Sequence, residues 1–294
     1  MSIAPSELIL NPDGSIYHLH LHPEEVATTI LTVGDPDRVD LVASYLDRIE
    51  VTRQKREFKT VTGTLGKRRL TIISTGIGTD NIDIVFSELD ALFNIDFKSR
   101  QIKKTPTSLQ FIRLGTSGAI QEDIPVDSLL ISSAALGLDS LLHHYDSQSI
   151  RESALENAFI KHMEWPAALN TPYAVKANAR LLQQFQSDEA QCGITVTNVG
   201  FYGPQGRSLR LAPKNNSFNV QLSSFNYRTE NGDQRITNLE METSGIYGMA
   251  ALLGHEALSM NAILANRATA QFSTNTEKTM RRLIGYTLDR LTHS

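Results

Sequence analysis

The sequence predicts an α/β fold in which a mixed sheet is covered by helices on both faces. Two observations carry this expectation. Apolar, β-branched runs alternate with segments of helical periodicity, as strands that feed crossover helices do. Strand–turn–strand pieces interrupt that alternation, so the sheet is not a pure succession of parallel crossover units. With 294 residues, 40% of them hydrophobic and 20% charged, the chain can bury a large core. No shift in composition marks a boundary and no internal repeat is evident, so one domain over 1–294 is expected.

Taken in order, residues 28–33 (TTILTV) read as a buried strand ending in a Gly-Asp-Pro turn, followed by a helix over about 39–46. Residues 58–65 and 69–74 pair across a Gly66-Lys67 turn. From 82 to 93, Ile82, Val85, Phe86, Leu89, Leu92 and Phe93 keep helical spacing. Strands are expected at 110–114, 129–133 and 193–199, a small-residue helix at 244–253, a strand at 257–264 and a closing amphipathic helix at 277–291. Two polar stretches stand apart: 95–108, basic and read as an exposed connection, and 208–237, read as a surface excursion.

The net charge of −4 gives no reason to expect a nucleic-acid or anionic-membrane partner. Cys192 is the single cysteine, which excludes a disulfide framework and a cysteine metal cluster. The first fifteen residues lack a basic start and a long apolar run, and no stretch approaches a membrane span. A cytoplasmic location is expected.

Several groups can carry chemistry. Gly34-Asp35-Pro36-Asp37-Arg38 follows a strand and opens a helix, where free amides and a cationic fork suit an anion. Taken alone, the pattern fits better an ordinary turn whose arginine meets a surface carboxylate, because strand-turn-helix junctions commonly use Gly and Pro. Arg113, placed at the end of an apolar strand, is costly unless it meets an anion or a carboxylate. Gly115-Thr116-Ser117-Gly118 then exposes amides and hydroxyls together, an oxyanion concavity at a sheet edge. In Ser74-Thr75-Gly76-Ile77-Gly78-Thr79 the glycines suggest a dinucleotide fingerprint, but Asn81 stands where the third glycine belongs and no acidic residue follows on a strand. The turn reads instead as one passing close to another ligand or backbone. Glu240-Met241-Glu242 precedes a helix: either the carboxylates complement the helix end, or one accepts the paired hydroxyls of a sugar. In Phe201-Tyr202-Gly203-Pro204-Gln205-Gly206-Arg207 an amide and a guanidinium two residues apart fit one edge of a planar heterocycle, or simply form a tight turn. His18, His20 and His22 alternate along an extended segment, but acidic partners for a metal are not evident around them, His143, His144 or His255, and no metal is expected.

Five of these pieces, GDPDR (34–38), STGIGT (74–79), RLGTSGAI (113–120), FYxxQxR (201–207) and EMET (240–243), together with REF (56–58), occur in an order that resembles the nucleoside phosphorylase family, and most closely its uridine phosphorylases. The resemblance implies a three-layer α/β/α sandwich with a central mixed sheet, assembled as a homodimer or a trimer of dimers with shared active sites. It also implies that nucleoside and phosphate are the substrates and that no cofactor is needed. By position, Gly34, Arg38, Arg113 and Thr116 would hold phosphate, with Arg56 reaching in from a neighbouring subunit. Met241 and Glu242 would hold the ribose, with His18 added across the same interface. Gln205 and Arg207 would read uracil while Phe201 packs on the base. Arg113, Gln205, Arg207 and Glu242 would then be the catalytic set, and the ligand itself would be the partner that makes Arg113 tolerable in a strand.

Purine enzymes of this fold typically present an aspartate to the leaving base. The matching strand here reads Asn261-Ala-Ile-Leu-Ala-Asn266-Arg267, without Asp or Glu. Uracil needs no such proton if Arg207 and Gln205 meet the charge on its oxygens, so a pyrimidine nucleoside, uridine or deoxyuridine, is the expected substrate. The rivals are a purine phosphorylase or a nucleosidase on the same fold, and a non-catalytic nucleoside-binding or storage protein.

Overall fold

A computed structural model describes residues 2–230 and 232–292. Its first strand, β1 (Thr29–Val33), is buried after its first residue. α1 (Pro36–Ala43) begins almost at once: Asp35 caps it by accepting the Arg38 N–H at 2.9 Å, and Pro36 fills the first turn, where a missing N–H costs nothing. The helix starts earlier than apolar spacing suggested because this cap, rather than the first apolar residue, fixes its origin.

β2 (Arg48–Lys55), β3 (Phe58–Leu65) and β4 (Arg68–Ser74) form an antiparallel meander. The last two are the expected hairpin. β2 was not expected, since its mostly exposed residues carry no apolar alternation. α2 (Thr79–Asn94) buries Ile82, Val85, Phe86, Leu89 and Leu92 as the spacing predicted. The basic stretch after it holds one small hairpin, β5 (Ile95–Asp96) with β6 (Gln101–Ile102).

β7 (Gln110–Ala119) and β8 (Leu129–Gly137) run several residues past their expected ends. α3 (Ser153–His162), β9 (Tyr173–Lys176) and α4 (Ala179–Phe185) lead to β10 (Ala190–Thr197). Beyond come α5 (Phe218–Ser223), β11 (Asn226–Thr229) and β12 (Gly232–Glu240). The chain closes with α6 (Thr243–Leu252), β13 (Glu256–Asn266), β14 (Gln271–Phe272) and α7 (Thr276–Thr292). The reading of 208–237 as a surface excursion is corrected at its far end. From Ile236 to Glu240, β12 is buried and pairs with β10, and its Thr237 and Asn238 are polar because they line a polar interior.

Strands in the main sheet run in the order β11-β12-β10-β8-β13-β7-β1-β4-β3-β2, with β9 on β8 and β14 on β13. β1–β4, β1–β7, β7–β13, β8–β10 and β10–β12 are parallel, whereas β8–β13 and the β2–β3–β4 meander are antiparallel. This is the expected mixed sheet, and with helices packed on it the fold is a three-layer α/β/α sandwich. β12 also pairs with β7 at Asn238–Ala119 and Leu239–Gly118. That contact closes β7, β13, β8, β10 and β12 into a ring. Closure requires long, bent strands, which accounts for the overrun of β7 and for the register shift in β13 between Ile263 and Ala265.

Candidate active site

The ring closure carries Arg113 on β7 to the end of β12. Arg113 lies inside its strand rather than at its end, level with Thr32 of β1 and Ser259 of β13. It is buried, and its partners are the chain's own groups: Nη2 meets Glu242 Oε2 at 2.7 Å and Glu240 Oε2 at 3.1 Å, while Nη1 donates to Asn261 Oδ1 at 3.0 Å. The arginine is therefore tolerated in the sheet by two buried carboxylates and an amide, which corrects the expectation that a ligand alone would explain it. Burial works against its charge, but Glu240 and Glu242 outweigh that effect and raise its pKa. Gly115 makes this geometry feasible. A Cβ there would lie 1.7 Å from Arg113 Nη1, so the guanidinium folds back over a residue with no side chain.

The two glutamates divide the work. Glu240 accepts the Glu242 N–H at 2.9 Å, the Thr243 N–H and the Thr197 hydroxyl at 2.6 Å, so it caps the start of α6 and its oxygens are saturated. Glu242 accepts one N–H on Oε1, from Gly78 at 2.9 Å, and the Arg113 contact on Oε2. Its lone pairs retain capacity. Burial raises its pKa despite Arg113, and neighbouring Glu240 adds to the rise. Gly78 takes φ 98°, a conformation that favours glycine, to aim its amide at Glu242. The STGIGT turn thus passes beside Glu242, as the reading of a close approach to another group expected.

Arg38 projects from α1 over Gly34, pairs with Asp35 at 2.9 Å and approaches the Leu114 carbonyl at 3.4 Å. Burial lowers its pKa; Asp35 opposes that fall, while the like charge of Arg113 adds to it. Gly34, Arg38, Arg113 and Glu242 are thus brought together at the carboxyl ends of β1, β4 and β12. Thr116 lies further along β7, and half-buried Met241 links β12 to α6.

A second group forms beyond β10. Gln205 is buried in a short 3-10 turn, and Arg207 donates to the Gln205 side-chain oxygen and, at 2.7 Å, to the Phe201 carbonyl. The Arg207 guanidinium stands 3.8 Å over the exposed Phe201 ring. Arg267, at the end of β13, reaches the Gln205 and Gly206 carbonyls at 3.3 and 3.4 Å. Burial and Arg267 together pull the Arg207 pKa down to about 10.

His18 and Arg56 stand on other segments, before β1 and between β2 and β3. His18 Nδ1 meets Glu88 Oε1 at 2.6 Å, and exposed Arg56 turns the chain between β2 and β3 with φ 55°. Lys55 links the two segments, donating to the Tyr17 carbonyl and standing 4.5 Å over its ring. His20 meets Asp13 at 3.0 Å, and among the described residues no group of three or more His, Cys, Asp or Glu is placed to hold a metal ion. No helix among them is long and apolar enough to cross a membrane.

Glu240 takes the helix-end role that was one of the two readings of the 240–242 carboxylates, whereas Asn261, Glu88 and Arg267 were missed as functional neighbours. A signal for Asn261 was present: polar residues two apart within apolar strands, Asn238 and Glu240 on β12 and Ser259 and Asn261 on β13, each mark one buried polar face.

The sequence model of the phosphorylase superfamily matches residues 28–291. The chain is 29% identical over 270 residues to a uridine phosphorylase of Thermococcus kodakarensis, covering 90% of this chain and 83% of that protein. It is 25% identical over 262 residues to a DeoD-type purine nucleoside phosphorylase of Alkaliphilus metalliredigens, covering 89% and 92%. A solved structure of a Trypanosoma brucei nucleoside phosphorylase, described as showing uridine phosphorylase activity, superposes with TM-score 0.88 at 28% identity, over 98% of this chain and 100% of that one. With the match spanning nearly all of the sheet and both polar groups, the chain belongs to the phosphorylase superfamily, as an enzyme of its nucleoside phosphorylase family resembling the uridine phosphorylases.

Proposed function

We propose that this enzyme splits a pyrimidine nucleoside, uridine or deoxyuridine, with inorganic phosphate, releasing free base and (deoxy)ribose 1-phosphate. The observation that carries the reading is the convergence of Arg38 and Arg113 beside Gly34, with Glu242 held against Arg113. Two guanidiniums beside an open backbone suit a phosphate dianion, and the lone pairs left on Glu242 suit the hydroxyls of a pentose. Thr116 completes the phosphate contacts, Met241 packs on the sugar, and Phe201, Gln205 and Arg207 receive the base.

In the proposed reaction a phosphate oxygen bonds to C1′ from the face opposite the base as the C1′–N1 bond breaks. The electron pair leaves with uracil, whose oxygens gain negative charge toward Arg207, and the base then takes a proton from solvent. The chain supplies position and electrostatic stabilisation, and neither a covalent enzyme intermediate nor a cofactor is required. Purine enzymes among the relatives make the choice of base the point to test. A panel of uridine, deoxyuridine, thymidine and inosine, with and without phosphate, is followed by release of base. Uridine cleavage that depends on phosphate is expected. Equal rates without phosphate indicate a nucleosidase, and preference for inosine overturns the pyrimidine reading.

A further inference from the structure

We infer that Asp139 is a positioning residue for Arg113 and Glu242, acting through a buried hydrogen-bond chain that fixes the start of α6. Asp139 lies two residues past β8 and is buried. Its carboxylate accepts the Leu141 N–H at 2.8 Å, the Tyr173 hydroxyl at 2.7 Å and the Ser244 hydroxyl at 2.8 Å, all neutral donors. A buried carboxylate held by neutral donors is an expensive way to stabilise a fold, so its value lies in what it orders. A carboxylate only accepts, so both hydroxyls must point at it. Burial and the Asp139 charge push the Tyr173 hydroxyl far above its usual pKa, which keeps it a donor.

From Ser244 the chain runs inward. Ser244 is the second residue of α6, and its N–H donates to Thr197 Oγ1 at 2.9 Å. That leaves the Thr197 hydrogen for Glu240 Oε1 at 2.6 Å. Glu240 takes the two amides just before Ser244, of Glu242 and Thr243, and faces Arg113 at 3.1 Å. Every link has one permitted direction, and Glu242, the N-cap of the same helix, moves with it. Asp139 touches no substrate in this arrangement. It sets where the two groups that do so are aimed.

The inference rests on the proposed roles of Arg113 and Glu242. It is tested by steady-state kinetics and thermal melts on the full chain carrying Asp139→Asn, Ser244→Ala or both, beside Ile246→Val, which thins apolar packing of the same helix outside the polar chain. Misplacement of about 1 Å costs on the order of 100-fold, so Asp139→Asn should lower kcat/KM roughly 10- to 100-fold. Ser244→Ala should act in the same direction, and the double variant should lose less than the product of the two because they share one chain. Ile246→Val should stay near wild type at a similar Tm loss. Should Asp139→Asn fail to fold, Ser244→Ala decides. The inference is overturned if the folded variants keep kcat/KM within about twofold of wild type, or if the two losses multiply. A wild type inert toward uridine and phosphate would sink the proposed function separately. The rise in Tm on adding inorganic phosphate would still report the aim of Arg113: it should shrink in both single variants, and an unchanged rise in both overturns the inference.

Discussion

Replacing Arg113 by methionine keeps a similar apolar stem and removes the charge that two buried glutamates share. In the wild type, Nη2 lies 2.7 Å from Glu242 and 3.1 Å from Glu240, and both carboxylates are buried. Removing one partner of a buried pair costs about 3–5 kcal/mol because the other charge is left without compensation. For a chain of this size that is a fall in Tm of roughly 6–15 °C. The deficit should depend on pH with a definite sign. Burial already raises the Glu242 pKa, and Arg113 is the group that opposes the rise. Without it the folded pKa climbs further above the unfolded value of about 4.3. A folded pKa raised in this way gives stability that is complete below the unfolded value and is lost as pH rises toward the folded one. The gap to wild type should therefore be small near pH 4 and widen by up to about 1.4 kcal/mol per pH unit as Glu242 ionises in the unfolded chain. Kinetically, loss of one charge-assisted contact of about 1.5–3 kcal/mol should lower kcat/KM roughly 10- to 150-fold. Calorimetry across pH 4.5 to 8.5 with matched kinetics reads both. A variant within about 2 °C of wild type and flat with pH would refute the reasoning, since the glutamates would then not depend on Arg113.

Three further outcomes follow from the same geometry. Gly115→Ala places a methyl where Arg113 Nη1 now lies, so the guanidinium must leave its partners; phosphate-dependent kcat/KM should fall about as far as in Arg113→Met, and a normal rate would mean that the fold-back contact is dispensable. Arg207→Ala should reduce uridine turnover by about 10-fold or more while leaving KM for phosphate nearly unchanged, so a rise confined to the phosphate KM would remove Arg207 from the base end. Mixing Arg56→Ala chains with Arg113→Ala chains should restore part of the activity if Arg56 serves a neighbouring protomer, because one site of the heterodimer then carries neither lesion; native mass spectrometry verifies the exchange, and verified heterodimers without recovery would place Arg56 outside the neighbour's site.

Legibility in the sequence follows the physical origin of each element. β1, the β3–β4 hairpin, α2 and α7 were legible because burial of one face writes a period into the residues. β2 escaped because it is an edge strand with little apolar surface. β12 escaped because the ring it closes has a polar interior, so Thr237 and Asn238 look like surface residues although both are buried. Arg38 was readable from the glycine turn after β1, and Arg113 from a charge set within an apolar strand. Their protein partners were not: Glu240, Glu242 and Asn261 lie about 130–150 residues from Arg113 in sequence and meet it only through ring closure, which local pattern does not encode. Glu88, which holds His18, is 70 residues away on α2 and is hidden for the same reason.

The two polar groups, which the proposed reaction makes the two ends of one site, differ in how charge is balanced, and in that reaction the difference bears on rate. At one end Arg113 faces Glu240 and Glu242, and Arg38 faces Asp35, so those cations have carboxylate partners within the chain. At the other end, among the described residues, Arg207 and Arg267 reach only carbonyl or amide oxygens and an aromatic face, and burial with mutual repulsion pulls the Arg207 pKa down to about 10. Two guanidiniums without a carboxylate are a poor match for neutral uracil and a good one for uracil that carries the electrons of the broken C1′–N1 bond. In the proposed reaction their attraction therefore grows as the bond breaks. An interaction stronger in the transition state than in the bound substrate raises kcat rather than merely tightening binding. A carboxylate introduced near Arg267 would neutralise this end in advance, and the advantage would be lost even with the phosphate end intact.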